Sequence, residues 1–192
     1  ITQMVDEGLR AWHAGVSRWQ GFADINSHSI GIEIQNPGHQ LGYRPFLRTQ
    51  MMAVAALCRD ILNRHAIAAR HVLAHSDVAP LRKIDPGELF DWKLLHEHGI
   101  GHWVEPEAMG GGPFLQAGDS GDAVAALQAM LRLYGYNIEP NGSFDAMTVA
   151  VMRAFQRHFR PEKVDGVADT SSVATLHRLL GALEPDQLLA QS

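Results

Sequence analysis

The sequence lacks most features that mark a specialised class of protein. It contains one cysteine, Cys58, among 192 residues, so an intrachain disulfide is excluded. Its formal net charge is -5, and it has neither a long basic run nor an apolar run long enough to cross a bilayer. Nucleic-acid binding therefore has no electrostatic footprint, and no transmembrane segment is expected. Cys58 itself sits in a helical apolar pattern and is interpreted as a small buried side chain.

The hydrophobic content of 46% is close to the globular average, which allows a packed core and one or two domains. The clearest linker is residues 104–112, which contain Glu-Pro-Glu and three consecutive glycines. We therefore predict an N-terminal domain at 1–103, a helical domain at 113–183 and a short tail at 184–192.

The N-terminal domain carries both strand and helix patterns. Strands are predicted at residues 1–7, 30–35 and 70–74, because these stretches are β-branched or alternate between apolar and polar side chains. A helix with an apolar stripe is predicted from Thr49, as its capping residue, to about His65. Strands interleaved with a long helix favour an α/β or α+β fold class.

The pattern of the helical domain predicts three helices. They would be capped by Ser120, by Asp145, and by Asp169 or Thr170. The runs 141–145 and 165–169 resemble each other, since each has an Asx-Gly turn ahead of an acidic helix start. This echo indicates a duplicated unit within a small helical bundle.

Residues 74–87, here called the central loop, carry the clearest chemistry. The loop holds His75, Lys83 and Asp85, and its prolines Pro80 and Pro86 oppose a regular helix. Imidazole and carboxylate are zinc ligands, and a nearby lysine could stabilise an oxyanion. The alternative interpretation is a polar surface loop whose histidine is merely solvated.

Three more residues are candidates for a reacting centre. Glu33 lies in the middle of the alternating stretch 30–35, where it could act as a general base or simply belong to a solvated strand face. Trp12 and His13 lie in a glycine-containing aromatic loop that could line a substrate groove. The alternative for the tryptophans of this loop is that they cover the core.

Taken together, these motifs resemble the type 2 N-acetylmuramoyl-L-alanine amidases. The resemblance implies a mixed central sheet flanked by helices, with Zn²⁺ bound by His75 and Asp85, Glu33 as general base and Lys83 stabilising the oxyanion. The helical domain resembles the common peptidoglycan-binding domain. The matching segments are Trp12-His13-Ala14-Gly15, Ser29-Ile30-Gly31-Ile32-Glu33, His75-Ser76-Asp77-Val78-Ala79-Pro80, Arg82-Lys83-Ile84-Asp85-Pro86-Gly87, Gly118-Asp119-Ser120-Gly121, Leu127-Gln128, Asn141-Gly142-Ser143-Phe144, Thr148 and Phe155-Gln156.

The resemblance further implies hydrolysis of the amide between N-acetylmuramic acid and L-alanine, in peptidoglycan or muropeptides, within the periplasm or at the outer membrane. In the family, the first zinc ligand is a histidine that precedes the segment matching Ile1. This chain is therefore expected to supply two zinc ligands, and its N-terminal domain is expected to be truncated at its start. His13 is the alternative third ligand, and a separate N-terminal fragment is another source. A protein that binds peptidoglycan without catalysis remains the competing hypothesis.

Overall fold

The computed structural model describes residues 1–183, so the tail predicted at 184–192 lies outside the described residues. Two short strands, β1 (Arg18–Trp19) and β2 (Phe22–Ala23), form an antiparallel hairpin in which Arg18 pairs with Ala23 and Trp19 with Phe22. Short 3₁₀ helices lie at Ile25–Ser27 and Ala69–His71. The α-helices are α1 (Arg48–Arg64), α2 (His75–Val78), α3 (Trp92–Glu97), α4 (Asp122–Tyr134), α5 (Ala146–Phe159) and α6 (Thr170–Gly181).

The fold class of helices with a small sheet, followed by three helices, is confirmed, but the predicted extent of the sheet is wrong. Within residues 1–183 the only ladder is the β1–β2 hairpin, and the stretches 1–7, 30–35 and 70–74 are not strands. Residues 30–35 do alternate between half-buried isoleucines and exposed residues, as predicted. Alternation reports which side of a segment faces the core, whereas a strand also needs a hydrogen-bonded neighbour.

The helix caps divide into correct and incorrect predictions. Asp145 accepts a hydrogen bond from the Thr148 amide at 2.9 Å, and Asp169 accepts one from the Ser172 amide at 2.8 Å, so both are N-caps. Thr49 is not a cap, because α1 already begins at Arg48. Ser120 is not one either, since it forms a bridge with Ser143 and α4 follows Gly121.

A buried glutamine secures each of the two Asx-Gly turns. The Gln128 side chain of α4 accepts from the Gly142 amide at 2.9 Å and donates to the Ser143 carbonyl at 2.9 Å. The Gln156 side chain of α5 accepts from the Gly166 amide at 2.8 Å and donates to the Val167 carbonyl at 2.9 Å. The sequence echo is therefore a repeat in three dimensions, in which a helix interior holds the loop that starts the next helix.

The helical domain and part of the N-terminal domain share one hydrophobic core. Trp19, Val78 and Ala79 are buried in the same cluster as the inward faces of α4, α5 and α6. Trp19 packs edge-on against Tyr134 and Tyr136, with ring centroids 6.1 and 5.0 Å away. A second cluster lies between α1 and α3 and includes the buried Cys58. The two domains are thus joined by apolar burial as well as by the chain.

The predicted linker lies along the surface of α6. The Glu107 amide donates to Thr175 Oγ1 at 3.0 Å, and Ser171 Oγ donates to the Glu107 carbonyl at 2.6 Å. Arg178 Nη1 donates to the Glu105 carbonyl at 2.7 Å. Residues 104–107 therefore bind to the helical domain rather than crossing free solvent between the domains.

Gly135 provides the first test of the shared core. A Cβ there would lie 2.5 Å from Trp19, and the backbone has a φ of +145°, which side chains rarely adopt. We expect Gly135→Ala to lower the free energy of unfolding by about 1–3 kcal/mol, as overpacking typically does. Urea denaturation measures this. Gly181→Ala is the control, since its Cβ would contact nothing within 4 Å, and equal stability of the two variants would contradict the packing.

A pH test follows from His102, whose Nδ1 lies 2.9 Å from the Tyr134 hydroxyl. Burial, aided by nearby positive charge, lowers the pKa of His102 from 6.5 to about 4. Between these values the unfolded chain takes up a proton that the native chain does not, so this contribution to stability is lost as pH falls from about 6.5 to 4. We expect His102→Asn to flatten the pH slope of the unfolding free energy by at most about 1.4 kcal/mol per pH unit. An unchanged slope would contradict this assignment.

Candidate active site

The central loop opens with a single helical turn, which the sequence did not predict. α2 (His75–Val78) ends before Pro80, and the loop then returns so that the Ser76 amide donates to the Asp85 carbonyl at 3.1 Å. This bond joins the two arms of the loop. It thereby brings His75, at the start of one arm, next to Asp85 in the other.

His75 and Asp85 meet as the sequence predicted. Nδ1 of His75 lies 3.0 Å from Oδ2 of Asp85, and its Nε2 lies 3.0 Å from the carbonyl oxygen of Ala14. Both ring nitrogens thus face oxygen acceptors, although a neutral imidazole has only one proton. Either a doubly protonated ring or a cation between Nδ1 and the carboxylate satisfies this arrangement.

The pair fits a zinc ion by the chemistry of its donors. Two ligands of one tetrahedral zinc lie about 3.3–3.6 Å apart, given metal–ligand bonds of about 2.0–2.2 Å. Zinc-binding histidines commonly donate their other ring N–H to a carbonyl or carboxylate, which Ala14 provides for His75. Among residues 1–183, however, no group of three His, Cys, Asp or Glu side chains is placed to hold a metal. Within that range His13 does not form such a group with His75 and Asp85.

The charge around Asp85 favours its ionised form. The hydrogen bond with His75 lowers the pKa of the Asp85 carboxyl, and the positive charge of Lys83 lowers it further. The half-buried Lys83 thus acts electrostatically on the same carboxylate that faces His75. A carboxylate binds a metal only when it is deprotonated, so these neighbours favour the form of Asp85 that could bind one.

Sequence reasoning missed the residues that fix the Ala14 carbonyl. Asn26 is buried, and its Oδ1 accepts hydrogen bonds from the amides of His13 at 3.0 Å and Ala14 at 2.8 Å. Arg82 Nη2 donates to the Ala14 carbonyl at 2.6 Å and to the Val16 carbonyl at 2.9 Å. An asparagine in a loop gives no signal in sequence of this contact, because its partners lie more than ten residues away.

His13 connects this region to the segment that carries Glu33. Its Nε2 lies 2.8 Å from Ser29 Oγ, and its ring covers Gly31, where a Cβ would approach it to 2.5 Å. Its Nδ1 is buried and has no hydrogen-bond partner in the described residues. Glu33 itself is exposed and forms no ion pair within residues 1–183. The structure thus places Glu33 two residues from a glycine beneath His13, but it does not bring the carboxylate into contact with His75.

The two tryptophans of the same loop, Trp12 and Trp19, lie in different environments. Trp12 is 82% exposed, with the guanidinium of Arg10 3.9 Å from its ring centroid, so it belongs to the surface. Trp19 is 4% exposed and belongs to the shared core. The core-covering interpretation is therefore correct for Trp19, and lining a groove stays a prediction for Trp12.

The end of the central loop is held by a tyrosine. The Tyr43 hydroxyl donates to the Pro86 carbonyl at 2.8 Å and accepts from the Leu89 amide at 2.9 Å. Gly87 is required between them, because any Cβ there would collide with the Tyr43 ring and its φ is +90°. His39 stacks on Tyr43 with ring centroids 4.1 Å apart. The arm that carries Asp85 is thereby anchored at its far end.

The start of the central loop is held from the helical domain, through residues that the sequence did not single out. Asp77 is 1% exposed. Its carboxylate accepts a hydrogen bond from the Tyr136 hydroxyl at 2.8 Å and another from Nδ1 of His158 at 2.7 Å. Burial, followed by the nearby Asp77 charge, raises the pKa of Tyr136 well above its usual value, so its hydroxyl keeps the proton it donates. His158 lies in the last turn of α5 and is 2% exposed.

Comparison with known proteins agrees with both halves of the chain. Residues 1–88 match the N-acetylmuramoyl-L-alanine amidase family, and residues 120–176 match a peptidoglycan binding domain family. N-acetylmuramoyl-L-alanine amidase AmiD of Escherichia coli is 39% identical over 188 residues, which cover 94% of this chain and 67% of that protein. 1,6-Anhydro-N-acetylmuramyl-L-alanine amidase AmpD of Enterobacter cloacae is 38% identical over 96 residues, about half of each chain.

Solved structures show the same relationship in three dimensions. A complex of Escherichia coli AmiD with anhydro-N-acetylmuramic acid-L-Ala-D-gamma-Glu-L-Lys superimposes with a TM-score of 0.79 at 38% identity, covering 94% of this chain and 72% of that one. Pseudomonas aeruginosa AmpDh3 superimposes with a TM-score of 0.74 at 36% identity, covering 93% and 71%.

The AmiD and AmpDh3 matches cover more than nine-tenths of this chain and so extend over both of its halves. The fold and the central loop define a two-domain protein with an amidase unit and a peptidoglycan-binding unit. The chain belongs to the N-acetylmuramoyl-L-alanine amidase family.

Asn26 gives a test of how the site is held. Asn26→Leu leaves the buried Ala14 amide and the part-buried His13 amide without this acceptor, and the buried one alone costs about 1–3 kcal/mol. Asn26→Asp keeps an oxygen in place and is expected to lose less stability. Asn63→Leu on the exposed face of α1 is the matched control. Urea denaturation orders the three, and an Asn26→Leu variant as stable as Asn63→Leu would contradict the assigned role.

Proposed function

We propose that the protein is a zinc-dependent hydrolase of the amide bond between N-acetylmuramic acid and L-alanine in peptidoglycan or its fragments. The observation that carries the proposal is the 3.0 Å approach of His75 Nδ1 to Asp85 Oδ2, with Nε2 of the same ring committed to the Ala14 carbonyl. Membership of the amidase family supports the reaction class.

His75 and Asp85 would hold the zinc ion as two of its ligands, and no third His, Cys, Asp or Glu side chain is grouped with them within residues 1–183. When bound, zinc supplies Lewis-acid chemistry: it polarises a carbonyl oxygen and acidifies water. The Ala14 carbonyl keeps the His75 ring in the tautomer that presents Nδ1. The central loop therefore provides both ligands and the hydrogen bond that orients one of them.

Glu33 and Lys83 would handle the proton and the negative charge of the reaction. Glu33 is exposed and unpaired within residues 1–183, so its carboxylate is free to take a proton from water and pass it to the leaving amine. Lys83 lies near Asp85, and its ammonium group would stabilise the oxyanion that forms on the attacked carbonyl. Trp12 and His13 would line the substrate groove beside them.

The substrates would be muropeptides and the cell wall itself. The AmiD relative was solved with anhydro-N-acetylmuramic acid-L-Ala-D-gamma-Glu-L-Lys, and AmpDh3 of Pseudomonas aeruginosa in complex with an anhydromuramic pentapeptide. Their similarity supports muramyl peptides as the ligand class of this chain. Such substrates support a location in the bacterial envelope, in the periplasm or at the outer membrane. No helix in the described part of the chain is long and apolar enough to span a membrane.

The helical domain would bind the wall near its first Asx-Gly turn. A cavity of about 160 Å³ opens there, lined by Gln128, Asn141 and Asp145 together with Ile138 and Met147. Amide and carboxylate groups beside apolar side chains suit a glycan or peptide. This module would keep the amidase site close to insoluble substrate.

A second candidate function is binding without catalysis. The observation that favours it is that residues 1–183 offer two ligands for zinc, whereas catalytic zinc usually has three protein ligands. A binding protein would retain cell-wall affinity in the presence of a chelator and would release no peptide.

The reaction is tested with Glu33→Gln in the natural full-length protein. We expect turnover of a muramyl peptide to fall by about 10²–10⁴, because the variant lacks a proton acceptor, while zinc binding is unchanged. Glu162→Gln, on the exposed surface of the helical domain, is the control. Product release is measured by chromatography, and zinc by competition with a chromogenic chelator.

Two outcomes would contradict the proposal. Unchanged turnover in Glu33→Gln would remove the assigned general base. A His75→Ala variant that still binds one zinc with the original affinity would remove the metal site. Wall binding with no zinc and no turnover in the unmutated protein would favour the second candidate.

A further inference from the structure

Asp77 is a buried charge that the proposed chemistry does not use. It lies on α2 two residues after His75, and 1% of its surface is exposed. A buried carboxylate is costly unless hydrogen bonds satisfy it. Its partners therefore show what this part of the central loop depends on.

Both oxygens of Asp77 are satisfied. Oδ2 accepts the Ala74 amide at 2.8 Å and Nδ1 of His158 at 2.7 Å, and Oδ1 accepts the Tyr136 hydroxyl at 2.8 Å. The Ala74 bond is local and closes the first turn of α2. The other two donors belong to the helical domain, 59 and 81 residues away along the chain.

The His158 ring is itself held on both faces. It stacks on Trp92 with ring centroids 3.8 Å apart and lies 3.9 Å from Phe159. Trp92 is the first residue of α3 in the N-terminal domain, and Phe159 closes α5. The Nδ1 donor is therefore aimed at Asp77 by packing from both domains.

The α2 helix is too short to fix its own orientation. It has four residues, and a single turn is unstable in isolation because helix nucleation is unfavourable. The orientation of its first residue, His75, must come from tertiary contacts. The shortest polar contacts of α2 side chains are those of Asp77, at 2.7–2.8 Å, against 3.0 Å for those of His75.

We propose that His158 and Tyr136 are positioning residues of the metal site: by binding Asp77, the helical domain orients α2 so that His75 Nδ1 faces Asp85. This inference rests on the proposed zinc site and adds to it a role for the wall-binding domain. That domain then does more than tether the enzyme, because the geometry of the ligand pair depends on its presence.

The test uses three variants of the natural full-length protein. Tyr136→Phe and His158→Phe keep an aromatic ring at each position but remove the donors to Asp77. His158→Asn loses the stacking but places an amide N–H where Nδ1 was. Leu176→Ala is the control, because it destabilises the helical domain without touching Asp77.

Two quantities are measured for each folded variant: the zinc dissociation constant, by chelator competition, and kcat and KM for a muramyl peptide. We expect each Phe variant to weaken zinc binding about tenfold, which is typical for loss of an outer-shell partner. We also expect kcat to fall while KM changes less. His158→Asn is expected to recover most of the zinc affinity. Leu176→Ala is expected to change the unfolding midpoint alone.

The outcomes separate this inference from the proposed function. If the unmutated protein binds zinc and turns over substrate, but the Phe variants match Leu176→Ala in zinc affinity and kcat, the positioning role is wrong and the enzyme assignment stands. If the unmutated protein binds no zinc, the proposed function fails and this inference fails with it.

Discussion

The arrangement of the two domains and the central loop depends on the hydrogen bonds of the buried Asp77 carboxylate. It lies at the meeting point of the central loop, α3 and α5, and it accepts hydrogen bonds from Ala74, Tyr136 and His158. Breaking such a buried network leaves an uncompensated charge, which typically costs about 3–5 kcal/mol. The shared apolar core around Trp19 surrounds the same junction, so polar and apolar contacts fix one domain against the other.

This junction explains how a loop with little regular structure can hold the proposed metal site. One arm of the central loop is fixed through Asp77, the other through Tyr43 and Gly87, and the Ser76–Asp85 bond joins them. His75 is then oriented by a backbone carbonyl that Asn26 and Arg82 hold in place. Catalytic geometry of this kind needs a rigid scaffold beneath a loop, and here two domains provide it.

Local patterns and motifs in the sequence predicted some of the helix caps and the residues of the candidate site. They did not predict the long-range contacts that hold these residues in place. Asp145 and Asp169 were predicted as caps because a cap bonds an amide only three residues away. The pair His75 and Asp85 followed from the residues and the family resemblance. The predicted strands failed because alternation does not supply a partner strand. His158 gave no sign of its role, since its partner lies 81 residues earlier and a histidine near a helix end is usually solvated.

The central claim is that α2 is held in place by the helical domain. Native-state hydrogen exchange measures it directly, through the amides of Ala74, Asp77 and Ala79, all of which are hydrogen-bonded in or beside α2. If the claim is right, these amides open with the same free energy as the interior amides of α5, because the two segments unfold together. Exchange of the α2 amides at a much lower opening free energy, while α5 stays protected, would contradict it.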